Sequence, residues 1–323
     1  MVDLSVVVPL YCEESNVDCL LERLESVLAA TGLSYEIVCV DDGSRDRTLD
    51  HLILHHYRNP AIKAIALSRN FGKEIAMTAG IDAASGEAVI PIDADLQDPP
   101  ELIPELVARW RQGYEVVYAQ RRSRQGETWL KRTTAKVFYG LIGRMTAIEI
   151  PADTGDFRLI DRRAVDALKQ LPERTRFMKG LFAWVGFRQT AVLYDRAPRH
   201  SGQTKWNYWR LWNFALDGIT SFSFGPLRIW SYVGSLISVG AFGYGAFLIV
   251  RTLFLGIDVP GYASLMVTML FLGGIQLLTL GIMGEYLGRI YEEVKGRPLY
   301  LVRECYGLEA VSHCTIQQPR RLS

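Results

Sequence analysis

Ser5-Val6-Val7-Val8-Pro9-Leu10 is a continuous apolar run, and a helical pattern over residues 13–31 follows it. The same alternation of a short apolar run with a helical pattern continues to about residue 120. Repeated βα units of this kind form a mostly parallel sheet that helices cover on both faces, so the predicted fold class is α/β. The predicted strands are residues 5–10, 36–42, 64–68, 88–95 and 115–120, and the predicted helices are residues 13–31, 46–58, 72–84 and 99–112.

Two long stretches further along the chain, residues 229–250 and residues 262–284, carry no charged side chain. As helices they would each be about 33–35 Å long, which is enough to cross a hydrocarbon core of about 30 Å. We therefore predict a hairpin of two transmembrane helices with residues 251–261 as its loop. The alternative is a pair of helices buried in the core of the protein.

Basic residues lie on the side of the hairpin that joins the rest of the chain, whereas the hairpin loop carries Arg251 beside Asp258. Lys and Arg are enriched on the cytoplasmic side of membrane spans. We therefore expect an integral membrane protein whose soluble region and two termini are cytoplasmic. The basic flanking residues are Arg228, Arg289, Lys295, Arg297 and Arg303.

The overall charge is nearly balanced, with 36 Lys+Arg against 35 Asp+Glu and a formal net charge of +1 at pH 7. A protein that holds nucleic acid mainly through its phosphates needs a strongly basic surface. We therefore expect no nucleic-acid partner. Any anionic ligand must bind at a local cluster of charge.

Acidic residues follow the predicted strands at their carboxyl ends, where open parallel sheets bind their ligands. The chain has no G-x-G-x-x-G after the first strand and no G-x-x-x-x-G-K-[ST], so neither usual phosphate-binding loop is present. Residues i and i+2 of a strand project to one face, so Asp93 and Asp95 could share a divalent cation. The alternative is that both are solvated loop acids.

Asp41 and Asp42 end the second predicted strand and allow two interpretations. They could accept hydrogen bonds from the base or ribose of a nucleotide. They could instead cap the helix over residues 46–58, a role that Ser44 could also fill. Asp98 is predicted to be the N-cap of the helix that follows the fourth strand.

Four motifs in this order resemble those of family-two glycosyltransferases, in the branch that transfers hexoses to dolichyl or polyprenyl phosphate. The resemblance spans about residues 4–300 and includes the paired C-terminal spans of bacterial bactoprenol glucosyltransferases. The motifs are Pro9-Leu10-Tyr11-Cys12-Glu13-Glu14-Ser15-Asn16, Val40-Asp41-Asp42-Gly43-Ser44, Asp93-Ala94-Asp95-Leu96-Gln97-Asp98-Pro99-Pro100 and Asp153-Thr154-Gly155-Asp156-Phe157-Arg158-Leu159.

The resemblance implies a GT-A type nucleotide-sugar-binding domain on the cytoplasmic face of a bacterial inner membrane. It implies inverting transfer of one hexose, with UDP-glucose as the first choice of donor, to a polyprenyl phosphate such as undecaprenyl phosphate. Pro9, Glu13 and Asp42 would hold the nucleoside, and Asp156 occupies the catalytic-base position. Mg²⁺ or Mn²⁺ would be held, together with the diphosphate, by Asp93, Asp95 and Gln97.

A basic stretch follows the fifth predicted strand and could bind the phosphate of the acceptor. We expect Arg132 to make this contact and to form, with Asp95 and Asp156, the catalytic set. Arg121 and Arg122 are the other candidates for the acceptor phosphate. The alternative is a solvated basic face attracted to anionic lipid headgroups. The basic residues are Arg121, Arg122, Arg124, Lys131, Arg132 and Lys136.

Residues 199–205 resemble the family's flexible loop that closes over the donor diphosphate, with Ser201 and Lys205 as its contacts and Gly202 as its hinge. Apolar and Trp residues then recur at helical spacing over residues 206–219, which indicates a helix lying in the membrane interface. Residues 129–145 are a second candidate for such an amphipathic interfacial helix. The alternative for the first stretch is a stripe that faces the protein core.

Gly284 and Gly288 form a G-x-x-x-G pattern at the end of the second predicted span, which lets helix backbones approach closely. With the family resemblance, this pattern favours a homo-oligomer. The alternative is that these glycines serve a contact within the hairpin.

The sequence thus predicts four segments and one favoured function. Two rival functions are a non-catalytic, membrane-tethered nucleotide-sugar-binding scaffold and a polysaccharide synthase. The synthase usually carries a Gln-x-x-Arg-Trp motif and more spans, and this chain has neither. The segments are a glycosyltransferase domain over residues 1–200, a donor-site loop and interfacial helix over 201–227, two transmembrane helices over 228–290 and a cytoplasmic tail over 291–323.

Overall fold

The computed structural model describes residues 2–122, 154–171, 173–174, 176, 178–195, 225–255 and 261–308. The described strands are β1 (Leu4–Leu10), β2 (Tyr35–Asp41), β3 (Ile62–Leu67), β4 (Ala88–Pro91), β5 (Val116–Arg121), β6 (Thr154–Asp161), β7 (Gln189–Tyr194) and β8 (Val302–Tyr306). The described helices are α1 (Glu14–Ala30), α2 (Thr48–Arg58), α3 (Lys73–Ala83), α4 (Ile103–Trp110), α5 (Arg162–Lys169), α6 (Met178–Trp184), α7 (Gly225–Leu255) and α8 (Tyr262–Val294).

The described strands form one sheet in the order β7-β5-β6-β4-β1-β2-β3-β8. Strand β1 lies parallel between β2 and β4, β2 is parallel to β3, and β5 is parallel to β7. Strand β6 is antiparallel to β4 and β5, and β8 is antiparallel to β3. The predicted α/β fold with a mostly parallel sheet is confirmed, and all five predicted strands form. Strands β6, β7 and β8 have no counterpart among the predictions.

The apolar run of β1 is continuous because helices cover both faces of the sheet. Val6 and Val8 pack with Leu24 of α1 in one core cluster, whereas Val7 packs with Met77 of α3 in the other. Successive side chains of a strand point to opposite faces, so each face of β1 needs its own apolar set. Burial on both faces therefore explains why the run has no polar alternation.

Helix α3 packs unusually close to the centre of the sheet. A Cβ atom added at Gly80 would collide with the Val7 side chain and would lie 3.1 Å from Cγ2 of Val40. Glycine at this position lets the α3 backbone approach β1 and β2. This close contact sets the distance between the start of α3, at Lys73, and the carboxyl ends of the strands.

The two predicted spans lie within long helices that the rest of the described chain does not cover. Trp230–Leu248 of α7 and Ser264–Val294 of α8 are long and apolar enough to cross a membrane, and neither is buried inside the structure. Phe242 and Leu253 are each 78 % exposed. The alternative of two buried core helices is therefore wrong for the described residues, and the described part of the chain leaves these apolar side chains without a covering.

The chain returns to the sheet after α8. Val302–Tyr306 forms β8 along the free edge of β3, within the segment that the sequence assigned to a cytoplasmic tail. The backbone N–H of Ser68 donates to the carbonyl of Leu301 at 2.9 Å. The Tyr300 hydroxyl donates to Oδ2 of Asp82, near the end of α3, at 3.0 Å. This part of the predicted tail is therefore integral to the sheet.

Two local predictions near the fourth strand are wrong. Strand β4 ends at Pro91 and not at residue 95, because the backbone turns and Leu96 adopts a φ of 57°. Asp98 does not cap a helix, since α4 begins at Ile103 after a 3₁₀ turn. Asp98 is instead buried and accepts a hydrogen bond from the Tyr194 hydroxyl.

Glu36 is a buried carboxylate that joins three strands. It accepts hydrogen bonds from Oγ of Ser5, from Nζ of Lys63 at 2.5 Å and from the backbone N–H of Ser85 at 2.7 Å. Burial by itself would raise the pKa of Glu36, but these donors outweigh it and lower the pKa below the usual 4.5. The network links β1, β2, β3 and the turn before β4.

Glu36→Gln should destabilise the sheet, because it leaves the Lys63 ammonium without its charged partner. We expect the free energy of unfolding to fall by about 3 kcal/mol, measured by thermal unfolding in detergent and followed by circular dichroism. Because the pKa of Glu36 is lowered by folding, its contribution is full above about pH 4.5 and is lost as the pH falls further. The difference between the two proteins should therefore shrink on acidification below that pH.

Glu101→Gln is the matched control, because Glu101 forms an exposed salt bridge with Arg23 at 2.7 Å. Exposed pairs contribute less than about 1 kcal/mol, so this variant should unfold close to the wild type. Equal losses in the two variants would contradict the special role of the buried network.

Candidate active site

Three charged side chains from distant parts of the sequence meet above the carboxyl ends of β1 and β4. The Lys73 ammonium, at the start of α3, lies 2.7 Å from Oδ1 and 2.8 Å from Oδ2 of Asp93. The same ammonium lies 2.5 Å from Oδ2 of Asp156, which β6 carries. The structure thus brings together Asp93 and Asp156, two site residues named from the sequence. Lys73, which links them, was not named.

The segment after β4 presents its acids from a turn and not from a strand. The argument that Asp93 and Asp95 share a strand face is therefore wrong, because β4 ends before them. Both side chains are partly exposed, and Oδ1 of Asp95 accepts a hydrogen bond from the backbone N–H of Gln97 at 3.2 Å. The turn itself therefore gathers Asp93, Asp95 and Gln97 into one short segment.

The donor set of this turn fits Mg²⁺ or Mn²⁺ bound together with a diphosphate. Among the described residues, no group of three or more His, Cys, Asp or Glu side chains forms a self-contained metal cage. Mg²⁺ commonly takes one or two protein carboxylates and fills its remaining positions with water and substrate phosphate oxygens. Two partly exposed carboxylates match this pattern, whereas they would not suffice for a structural metal.

Asp156 is held in its charged form. It is 7 % exposed, and burial would raise the pKa of this carboxyl group. The positive charges of Lys73 and Lys179 outweigh burial and hold the pKa of Asp156 well below its usual range. Its Oδ1 atom has no hydrogen-bond partner among the described residues. Asp156 is therefore a stable anion with one oxygen left for a ligand or a water.

Two further ionisable residues, Glu74 and Arg158, lie near Asp156. Burial, reinforced by the charge of Asp156, raises the pKa of Glu74 to about 8, and Oε2 of Glu74 lacks a partner in the described part of the chain. Arg158 is also buried, donates from Nη2 to the carbonyl of Gly155 at 2.8 Å and stacks its guanidinium 4.2 Å from the Phe182 ring centroid. No local pattern in the sequence marked Lys73 and Glu74 as members of this cluster.

Asp42 fixes the start of α3. Its carboxylate accepts hydrogen bonds from the backbone N–H groups of Phe71 at 2.7 Å and Gly72 at 2.9 Å. The capping interpretation therefore applies to α3, whereas the sequence suggested the helix that begins after residue 46. Because Lys73 follows directly, this cap also sets the origin of the side chain that reaches Asp93 and Asp156.

Asp41 is completely buried under the loop that follows β2. Its Oδ1 atom accepts a hydrogen bond from the backbone N–H of Ser44 at 3.1 Å, and its Oδ2 atom has no partner among the described residues. Burial raises the pKa of both Asp41 and Asp42. Gly43, with a φ of 68°, lets the loop pack against the backbone of Arg69, which would lie 2.6 Å from a Cβ atom. Close contact with the backbone of Arg69 therefore holds this loop in place.

The other nucleoside candidates lie beside this loop. Pro9 is half-buried near the end of β1. Glu13 is half-buried, accepts a hydrogen bond from Nδ2 of Asn16 at 2.7 Å and donates its backbone N–H to Oγ1 of Thr48 at 2.9 Å. The backbone N–H of Cys12 donates to Oγ of Ser44 at 2.9 Å. These bonds join the loops after β1 and β2 into one surface.

The structure places Arg121 and Arg122, two candidates for binding the acceptor phosphate, in different surroundings. Arg121, the last residue of β5, lies near the site, since a Cβ atom at Gly155 would be 3.8 Å from its Nη2. Arg122 is exposed and faces Asp195 at 3.6 Å. Three predicted contact residues, the predicted donor-site loop and both predicted interfacial helices lie outside the described residues. Those contact residues are Arg132, Ser201 and Lys205.

Comparison with known proteins gives this arrangement a family. Residues 5–169 match the glycosyl transferase family 2 model, which covers β1 to β6 and the Lys73–Asp93–Asp156 cluster. The chain belongs to glycosyltransferase family 2. Residues 225–290, which contain most of α7 and α8, match the GtrB C-terminal hairpin. The family resemblance drawn from the four motifs and the paired spans is thereby confirmed.

Relatives of this family 2 glycosyltransferase align over nearly its whole length. It is 67 % identical to an uncharacterised glycosyltransferase of Synechocystis, over 95 % of this chain and 97 % of the relative. It is 46 % identical to the SfII prophage-derived bactoprenol glucosyl transferase of Shigella flexneri, over 94 % and 98 % of the two chains. Among solved structures it resembles glucosyl-3-phosphoglycerate synthase from Mycobacterium tuberculosis in complex with Mn²⁺ and UDP-glucose, with 22 % identity, a TM-score of 0.48 and coverage of 68 % and 78 %.

Asp42→Ala should weaken both the fold and the site of the glycosyltransferase. The substitution leaves the N–H groups of Phe71 and Gly72 without their acceptor, so we expect a loss of about 1–2 kcal/mol in unfolding free energy. It should also lower kcat, because the start of α3 carries Lys73. Thermal unfolding and steady-state kinetics measure the two effects.

Asp161→Ala is the matched control, because Asp161 accepts the backbone N–H of Arg163 at the start of α5 at 2.9 Å. It should cost a similar amount of stability but leave kcat near the wild-type value. A loss of kcat as large as that of Asp42→Ala would show that general loosening, and not the position of Lys73, causes the effect.

Proposed function

We propose that this glycosyltransferase transfers one glucose from UDP-glucose to a polyprenyl phosphate, with undecaprenyl phosphate as the expected carrier, and inverts the anomeric centre. The observation that carries the proposal is the stable Asp156 anion, joined through Lys73 to the acidic turn after β4. The bactoprenol glucosyl transferase name of the Shigella flexneri relative supports the choice of sugar and lipid.

On the donor side, we assign the nucleoside to the surface formed by the loops after β1 and β2. Asp93, Asp95 and Gln97 are proposed to hold Mg²⁺ or Mn²⁺ against the diphosphate. When bound, the ion would neutralise the charge that develops on the departing UDP. Ser201 and Lys205 are proposed to close over the diphosphate. The proposed nucleoside contacts are Pro9, Glu13, Asp41 and Asp42.

On the acceptor side, the nucleophile is an oxygen of the lipid phosphate, which is already anionic near neutral pH. This oxygen forms a bond to the anomeric carbon while the bond from that carbon to the β-phosphate oxygen breaks, and UDP leaves with the electron pair. An ionised phosphate has no proton to give up. We therefore assign Asp156 the task of orienting the reacting groups and balancing the positive charge of Lys73, in agreement with its lowered pKa.

Positive charge is needed to bring the anionic acceptor near the anionic donor. We assign this task to Arg132, supported by Arg121 and Arg122. Arg121 is the best placed of these among the described residues, because it lies close to Gly155 in the strand that carries Asp156. Arg122 lies at the exposed end of β5 beside Asp195.

The topology supports a membrane hairpin. Strands β1 and β8 belong to the same sheet, although α7 and α8 separate them along the chain. If both helices span the bilayer, two crossings return the chain to its starting side, as this pairing requires. We propose that this side is the cytoplasmic side of a bacterial inner membrane, where nucleotide-sugars are made. The connection from α8 to β8 is short, so it would hold the site close to the lipid headgroups.

The deciding experiment supplies membranes containing this protein with undecaprenyl phosphate and one radiolabelled donor at a time. The donors are UDP-glucose, UDP-N-acetylglucosamine and GDP-mannose. We expect label in the lipid extract with UDP-glucose and a product carrying one sugar. Nucleotide-sugar binding without lipid product would favour a non-catalytic scaffold, whereas a long sugar polymer would favour a polysaccharide synthase.

Asp95→Asn should lower kcat by about 100-fold, because it removes one charged ligand for the proposed metal ion. Chelation of divalent cations should abolish activity in the wild type, and added Mg²⁺ or Mn²⁺ should restore it. The substitution should leave the melting temperature nearly unchanged, since Asp95 lies in a partly exposed turn. Full activity in the presence of a chelator would refute the metal role.

We also propose that the protein forms a homo-oligomer through the span glycines. A Cβ atom added at any of five glycines would meet no atom of the described residues within 4 Å, so these positions are not packed against the described part of the partner helix. Small residues favour close helix packing in membranes, which makes a second copy the natural neighbour. The glycines are Gly240, Gly243, Gly245, Gly284 and Gly288.

Gly284→Leu combined with Gly288→Leu should shift the detergent-solubilised protein toward the monomer. Static light scattering coupled to gel filtration measures the mass. The matched control is Thr279→Leu, on the opposite face of α8, which should keep the assembly. If the double variant keeps its mass but loses thermal stability, the glycines serve the hairpin itself.

A further inference from the structure

Lys73 occupies the position that a divalent cation would take on Asp93. Its ammonium lies within 2.8 Å of both carboxylate oxygens of that side chain. A cation that binds Asp93 must therefore compete with the Lys73 ammonium for these oxygens. The lysine is also held by Asp156 at 2.5 Å, so it has a second anionic partner that remains if the cation takes Asp93.

The backbone that carries Lys73 is fixed, although the side chain has a flexible four-carbon stem. Asp42 caps the preceding residues, and Gly80 packs the same helix against Val7 and Val40. The Lys73 side chain is 43 % exposed, so it has room to swing, whereas its Cα atom does not. The structure therefore provides a charged arm that can exchange between two carboxylates without a change of fold.

We propose that Lys73 is a resident counter-cation that screens Asp93 from free metal ions and yields only when metal and nucleotide diphosphate arrive together. The inference rests on the proposed metal role of Asp93 and Asp95. Free metal must compete with the ammonium for Asp93. A diphosphate offers additional oxygen ligands to the metal and a new anionic partner to the ammonium, so it offsets the cost of the exchange.

This arrangement makes metal and nucleotide binding cooperative. The free energy of coupling is reciprocal, so UDP should strengthen metal binding by the same factor by which metal strengthens UDP binding. Without Lys73, metal no longer displaces a bound charge and needs less help from the nucleotide. The lysine therefore acts as a positioning residue, whose removal should alter binding even where no turnover occurs.

The test is a titration of the purified full-length protein with Mn²⁺, in which electron paramagnetic resonance measures the free ion, with and without UDP. We compare the wild type with Lys73→Met, Lys73→Gln and Lys73→Arg. The Met and Gln variants should bind Mn²⁺ alone about five- to tenfold more tightly than the wild type, as expected for loss of a partly exposed competing charge. The effect of UDP on Mn²⁺ affinity should shrink by a similar factor.

Lys73→Arg keeps the charge and should bind Mn²⁺ alone as weakly as the wild type. Circular dichroism checks that each variant folds. If Lys73→Met does not fold, Lys73→Gln alone provides the neutral side chain for the comparison. Wild-type affinity for Mn²⁺ alone in both neutral variants would overturn the screening role. The metal site itself would still stand in that case if Asp95→Asn lowers the affinity for Mn²⁺. If no protein binds Mn²⁺ even with UDP, the inference and the metal role both fail, whereas transfer of glucose to lipid is judged separately by the radiolabel experiment.

Discussion

One ammonium group between two carboxylates organises the catalytic half of this protein. Lys73 is 20 residues from Asp93 and 83 residues from Asp156 along the chain, so only the order of strands in the sheet can bring them together. Strand β6 inserts antiparallel between β4 and β5, which places Asp156 beside the turn that follows β4. Helix α3, held close by Gly80 and capped by Asp42, supplies the positive charge from the other side. The sheet, the cap and the close helix packing therefore all serve one electrostatic arrangement.

The parts of the fold that could be predicted are those in which burial of side chains leaves an apolar pattern in the sequence. Strands covered on both faces appear as short, mostly apolar runs, which revealed β1 to β5. Strand β6 was missed because Asp156 and Arg158 interrupt its apolar pattern, although both are buried. The end of β4 was misplaced for the opposite reason, since Ile92, Ala94 and Leu96 remain buried at every second position after the strand has ended. Period-two burial thus continues through a turn, and the pattern cannot distinguish the two conformations.

The site was predictable only in part. Asp93 was identified from the acidic pattern after the fourth predicted strand and Asp156 through resemblance to a family, and the structure places both in contact with one lysine. Lys73 was not predicted, because a lysine at the start of a helix is most often a solvated charge and nothing local reveals its two partners. Asp42 was interpreted as a ligand or a cap of the nearest helix, but its partners come from 29 and 30 residues away. Long-range pairing of this kind leaves no periodic signal.

The edge strand β8 has a consequence for how the protein is made. A ribosome releases β3 long before β8, and all of α7 and α8 must be synthesised between them. The exposed edge of β3 therefore stays unpaired until the hairpin has left the ribosome, and an unpaired strand edge invites pairing with other chains. If the hairpin spans a membrane, as proposed, its insertion precedes completion of the sheet. A chain that stalls before α7 and α8 are complete would keep the edge of β3 open to pairing with other chains.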